Sequence, residues 1–178
     1  MSTRHTESLS GTWFKPSYRT KPEQAVGLAI FLTLSFGLFL FNQWMTSFSL
    51  SSHWYQALAQ APWVLSSWPK TPLWIGYHIL VPLSIWTLWR RSSFFTLKLE
   101  RSIFLAQLAF QSLWSLSFFF LQETLLALSA LLLLCFNTLL CILLFRKKEK
   151  AVKILLIPSL MWVFYVMGIN MVICVFNP

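Results

Sequence analysis

The chain contains no aspartate, and glutamate occurs only five times in 178 residues. Charged residues make up 11% of it, against roughly a quarter in soluble domains. Such a chain cannot cover a globular surface with polar groups, so it needs a solvent other than water. The scarcity of acids also removes most catalytic arrangements. No Ser–His–acid set is apparent, and no catalytic residue is assigned. Cysteine is sparse too. Cys135, Cys141 and Cys174 form no C-x-x-C pair and read as small apolar packing residues rather than metal ligands. There is no Gly-rich phosphate loop and no internal repeat. The first 23 residues lack the apolar core of a cleavable signal peptide, so the first span is expected to act as an uncleaved insertion signal.

What the chain does have is apolar residues, 57% of the total. Charges fall in clumps and leave five uncharged runs: Gln24–Ser52, Thr71–Trp89, Ser102–Gln122, Thr124–Phe145 and Ile154–Pro178. A helix needs about 20 mainly apolar residues to cross a hydrocarbon core of roughly 30 Å. The runs therefore predict an all-α integral membrane protein, a five-transmembrane-helix bundle. The spans are placed at about 23–48, 73–89, 101–121, 125–145 and 151–176. A polar tail, 1–22, precedes the membrane domain 23–178. Barrel strands would show short alternating segments instead.

Net charge is +9, a value that by itself suggests nucleic acid. The positions argue for a membrane. Arg4, Lys15, Arg19 and Lys21 precede span one. Arg90, Arg91, Lys98 and Arg101 separate spans two and three. Arg146, Lys147, Lys148, Lys150 and Lys153 separate spans four and five. The opposite side holds only Lys70. This positive-inside pattern places the N-terminus in the cytoplasm and the C-terminus outside. Membrane lipid is the expected partner, and nucleic acid is not.

The connection 49–72 is long for a helical bundle and rich in Trp, Ser and Pro, so it is read as a lid over the outer end. Ser51 or Ser52 can cap a short helix through Gln60. Pro22 suits the first turn of span one. Gly27 and Gly37 are expected to let a neighbouring helix approach. Pro82 should kink span two. The turn Gln122-Glu123-Thr124 makes spans three and four an antiparallel hairpin.

Ten tryptophans exceed ordinary usage several-fold. Trp13, Trp44, Trp54 and Trp89 fall near interfaces, where indoles anchor. Trp74, Trp114 and Trp162 fall in or at the start of spans. Together they suit a flat aromatic ligand, because an indole offers a broad apolar face and one N–H donor. On span three, Gln107, Gln111, Trp114 and Phe118 share a face at i, i+4, i+7 and i+11. Carboxamides facing lipid are costly, so that face is expected to look inward. It serves either a ligand or interhelical hydrogen bonds worth about 0.6–2 kcal/mol each. On span two, His78 lies four residues after Trp74. It has three open roles: ligand to a haem iron, donor to a ligand carboxylate, or partner of a neighbouring carbonyl. Trp162, Val166 and Asn170 repeat the four-residue spacing on span five.

These residues carry a resemblance. Trp54-Tyr55, Leu58, Trp63, Trp68, Pro72 and Trp74 resemble the first-loop motif of the TspO (tryptophan-rich sensory protein, or translocator protein) family. Gln107-Leu108-Ala109-Phe110-Gln111-Ser112-Leu113-Trp114-Ser115, followed by Phe119-Phe120, resembles its Q-L-x-x-N-x-x-W-S-x-x-F-F. Pro158-Ser159-Leu160-Met161-Trp162 through Asn170 resembles its P-Y-L-x-W motif. The similarity covers about residues 25–176. The chain departs from the pattern at Leu65 and Ser66 (paired prolines), Ala61-Pro62 (a shifted proline), Lys70 (a phenylalanine), Gln111 (an asparagine) and Ser159 (a tyrosine).

The resemblance implies a five-helix bundle, often a homodimer, with a cavity beneath the first loop. That cavity binds porphyrin or haem, sterols or benzodiazepine-type molecules, with no cofactor required. Implied contacts include Trp63, Trp74, Trp162, Gln111 and His78, with Tyr77 beside it. The expected function is a receptor or translocator for a hydrophobic small molecule in a bacterial inner membrane. The alternatives are a porphyrin-degrading enzyme and a regulatory protein acting through a protein partner.

Overall fold

The helices begin where local chemistry allows. A computed structural model describes residues 19–65, 67–90, 98–145 and 149–177. The tail residues Arg4, Trp13 and Lys15, the loop residues Ser66, Arg91 and Arg146 to Lys148, and Pro178 lie outside them. Helix α1 spans Lys21–Leu50. The Thr20 backbone N–H donates to Glu23 Oε2 at 2.9 Å, and Pro22 occupies the first turn, where no intrahelical donor is needed. Ser52 caps the short helix α2, His53–Ala57, by accepting from the Tyr55 N–H at 3.2 Å. That helix stops at Ala57, short of the expected Gln60. Helix α3 spans Ser67–Trp89, α4 Lys98–Ser115, α5 Thr124–Phe145 and α6 Lys150–Phe176. Helix α4 continues as a π-helical turn, Leu116–Phe120. All regular structure among the described residues is helical.

Four of these helices are long and apolar enough to cross a membrane: Lys21–Leu50, Arg101–Phe120, Thr124–Phe145 and Lys150–Phe176. Helix α3 is not one of the four, which corrects the equal standing expected of the second span. Its 23 residues include Trp74, Tyr77, His78, Pro72, Pro82 and Thr87, which dilute the apolar run. The expected bounds shift as well. Helix α3 starts six residues before Leu73 and α1 runs two past Phe48, so the connection shrinks from 49–72 to 51–66.

Around the bundle the order is α1, α3, α6, α5, α4 and back to α1. Short connections make α4 and α5 antiparallel neighbours. Their turn places Gln122 at φ 59°, a left-handed conformation that costs a side-chain-bearing residue about 1–2 kcal/mol. The Glu123 N–H donates to the Ser117 carbonyl at 2.9 Å and holds the turn closed. At the other end, the Arg19 N–H donates to the Arg90 carbonyl, and the Arg19 guanidinium lies 4.1 Å from the Trp89 ring. The basic ends of α1 and α3 are thus together.

Apolarity is distributed as hydrocarbon solvation requires. Large side chains such as Leu40, Phe41, Phe48, Leu125, Leu132, Phe136, Ile154, Met161 and Phe176 are exposed. Soluble monomers rarely present contiguous apolar surface on that scale. The buried stripe of α1 is instead small or polar: Gly27, Ser35, Asn42 and Ser49, with Phe31 and Met45. Gly27 meets the Trp89 ring, where an added Cβ would come within 2.2 Å of Trp89 Cζ3. Only a glycine permits that approach. Gly37 corrects the parallel expectation: it faces open space, with nothing within 4 Å of an added Cβ.

Candidate functional site

Two polar and aromatic regions occupy the interior, and both draw on α3 and α4. The first is a closed hydrogen-bond network. Gln107 Nε2 donates to Tyr77 Oη at 3.0 Å and to Thr138 Oγ1 at 2.7 Å. Its Oε1 accepts from Asn137 Nδ2 at 2.6 Å, and that amide also donates to the Ile103 carbonyl at 3.0 Å. One carboxamide therefore joins α3, α4 and α5. Next to it, Pro82 lacks the N–H that would have bonded the carbonyl of His78, four residues back. Ser35 Oγ supplies the missing donor at 3.0 Å. The same Oγ lies 3.1 Å from His78 Nδ1, while Gln111 Nε2 lies 2.7 Å from His78 Nε2. One tautomer satisfies all three contacts: Nδ1–H donates to Ser35 and Nε2 accepts from Gln111. Both ring nitrogens of this fully buried histidine are engaged, one by the Ser35 hydroxyl and the other by the Gln111 amide.

The second region is a cavity of about 240 Å³ beneath the 51–66 connection. Trp74, Trp114 and Trp162 meet in its wall. The Trp74–Trp114 ring centroids are 5.4 Å apart and tilted by 33°, and Trp74–Trp162 are 5.8 Å apart and edge-to-face. Tyr165 packs on Trp162 at 5.3 Å. The π-helical turn adds one residue to the repeat, so Phe118 and Phe119 both reach the cavity. Such turns occur often at functional sites. Val166 and Asn170 complete the α6 wall.

The connection is held over this cavity as a lid. Trp54 and Tyr55 pack edge-on against Phe118 at 5.6 and 6.5 Å. The Ala59 N–H donates to Asn177 Oδ1 at 2.8 Å, and Asn177 Nδ2 returns a bond to the Ala59 carbonyl at 3.2 Å. The Leu65 N–H donates to Tyr165 Oη at 2.8 Å. Burial raises the Tyr55 phenol above its ordinary 10.0, and a side-chain hydrogen bond with Gln60 lowers it in part.

The candidate residues thus divide. Trp74, Trp114, Phe118, Trp162, Val166 and Asn170 line the cavity. Tyr77 and Gln111 line instead a void of about 20 Å³ beside the tryptophans, enough for one water. Gln107 and His78 belong to the network. Trp63 is 56% exposed and lines neither space, because the lid turns it outward. Several wall residues escaped sequence reasoning: Phe39, Gln43, Thr46 and Leu50 on α1, Tyr55, Gln60 and Val64 on the lid, and Lys70 on α3. The α1 set has the i, i+4, i+7, i+11 spacing already noted on span three. Gln43, a carboxamide inside an uncharged run, was its signal.

A bundle of apolar helices with a tryptophan-walled cavity under its first connection is what the family resemblance implied. The family model for the TspO/MBR family matches residues 29–176. This chain belongs to the TspO/MBR family. It is an integral membrane protein of that family. It is 28% identical over 132 residues to the tryptophan-rich protein TspO of Chlorobaculum tepidum, covering 72% of this chain and 82% of the relative. It is 27% identical over 124 residues to the tryptophan-rich protein TspO of Archaeoglobus fulgidus, covering 70% and 80%.

Proposed function

We propose that this TspO/MBR-family protein is a receptor or translocator that binds a hydrophobic small molecule in the tryptophan-walled cavity. A porphyrin or haem is the leading class, with sterols and benzodiazepine-type compounds as further candidates. One observation carries the reading. Trp74 Nε1, Trp114 Nε1 and Asn170 Oδ1 are buried without a hydrogen-bond partner, and all three residues line the same cavity. A buried polar atom left unpaired costs about 1–3 kcal/mol, and a guest offering an acceptor and a donor would recover that. Flat rings suit the walls, since stacked or edge-on aromatic pairs gain about 0.5–1.5 kcal/mol beyond burial. The cavity is smaller than the roughly 300–1,000 Å³ of typical ligand pockets. A macrocycle would therefore enter edge-on, part of its rim remaining between lid and α6.

In this reading α3 joins the four long apolar helices as a fifth span, shielded by its neighbours. The N-terminal end of α1 lies in the cytoplasm of a bacterial cell, and two copies pair in the inner membrane. The clustering of Arg19, Lys21 and Arg90 at one end supports that orientation. Titration of the detergent-solubilised protein with protoporphyrin tests the central point. Saturable quenching of tryptophan fluorescence, weakened in Trp74→Phe and Trp162→Phe, is expected. Non-saturable quenching equal in all variants would contradict it.

A further inference from the structure

We propose that Lys70 makes this cavity selective for acids, its ammonium pairing with a carboxylate on the rim of an otherwise apolar guest. The inference rests on the cavity being the ligand site and names the class of molecule it prefers.

Lys70 sits in the first turn of α3, at the lid end of the cavity, and lines the space with the lid residues Gln60 and Val64. No acidic side chain is among the described lining residues, so the wall carries a single positive charge and no compensating negative one. Its side chain is only partly exposed. A cation held against apolar rings loses part of its hydration, and an oppositely charged guest restores that loss most effectively.

A second observation points the same way. The unpartnered polar atoms of the wall include two donors, the indole N–H groups of Trp74 and Trp114. Trp114 is 6% exposed. With Lys70 these make three donors on residues that line the space, where Asn170 Oδ1 is the one buried acceptor without a partner among the described lining residues. A neutral sterol hydroxyl, with two lone pairs, can meet at most two of them and carries no charge to pair with Lys70. A carboxylate, with two oxygens and about four lone-pair sites, meets the excess of donors. A charge-assisted hydrogen bond is also roughly twice as strong as a neutral one. The guest this wall selects has a flat apolar body, which the tryptophans enclose, and an acid group at the mouth.

The test compares an acid with its ester on the same ring system. Protoporphyrin IX and its dimethyl ester are titrated into the full chain in nanodiscs of neutral phosphatidylcholine. The variants are Lys70→Met, which keeps the length of the side chain, and Lys70→Arg, which keeps the charge. The unmodified chain is expected to bind the acid about tenfold more tightly than the ester, equivalent to about 1.4 kcal/mol. In Lys70→Met the two affinities should converge, with acid binding falling far more than ester binding. Lys70→Arg should retain the preference. Equal affinities in the unmodified chain would overturn the role of Lys70 while leaving the cavity as the site. Failure of both compounds to bind would instead remove the cavity reading. The titrations are repeated in nanodiscs containing phosphatidylglycerol. If the acid preference vanishes there, Lys70 serves lipid headgroups and the assignment to a guest is wrong.

Discussion

The network and the cavity are built from the same materials on the same two helices, a few residues apart, yet they end in opposite states. Gln107 uses both amide hydrogens and its oxygen within the protein. One turn later, Gln111 satisfies His78 but leaves Oε1 unpaired, and one further turn brings Trp114 with a free N–H. Polarity therefore passes along α4 from fully paired to unpaired, towards the lid. Paired groups in a membrane interior join helices. Unpaired groups lining a space are available to something else. The difference teaches that a polar residue within a span is not in itself a sign of ligand binding; what counts is whether its atoms are already engaged.

The comparison can be broken most severely at the network. Gln107→Leu should remove the bonds that Gln107 makes to Tyr77, Thr138 and Asn137 and lower stability by about 2–3 kcal/mol, from the loss of several interhelical bonds. Porphyrin affinity should change by less than about threefold. Thermal unfolding in detergent, paired with a fluorescence titration, measures both. An affinity loss without a stability loss would mean that the two regions are one.

The cavity side is sharpened by Trp74→Phe. This keeps an aromatic wall and removes one N–H, so affinity should fall about fivefold, equivalent to about 1 kcal/mol, with stability nearly unchanged. A smaller effect is expected at the lid. Asn177→Ala removes both bonds to Ala59 and should raise the ligand dissociation rate two- to threefold in stopped-flow measurements, at a stability cost below about 1 kcal/mol. Smallest of all, Gln122→Gly relieves a left-handed residue in the α4–α5 turn. It should stabilise the hairpin by less than about 1 kcal/mol and leave binding untouched.

Much of this arrangement was legible in the sequence. Uncharged runs located the helices to within a few residues, because the absence of charge is a strict requirement of hydrocarbon. The Gln107–Phe118 stripe pointed inward for the same reason. The helical start at Ser67 was not legible: Pro69 and Pro72 read as loop residues, although the first turn of a helix tolerates the missing N–H of Pro69 and Pro72 lies inside the helix. Trp63 was misjudged because a motif position does not specify which way a loop side chain turns. The role of Ser35 was hidden as well. It exists only because Pro82, 47 residues later in the chain, frees a carbonyl next to it in space. Gly27 and Gly37 looked equivalent in sequence, and only the position of Trp89 separates them.

The claim that a guest occupies the tryptophan-walled space is tested most directly by chemical protection. Val166→Cys, in a chain whose three native cysteines are replaced by alanine, places a thiol on the α6 wall. Its alkylation rate by a small maleimide is measured with and without saturating protoporphyrin. Occupancy predicts a rate at least about tenfold slower with the porphyrin present. An unchanged rate at saturation would mean that the molecule binds elsewhere.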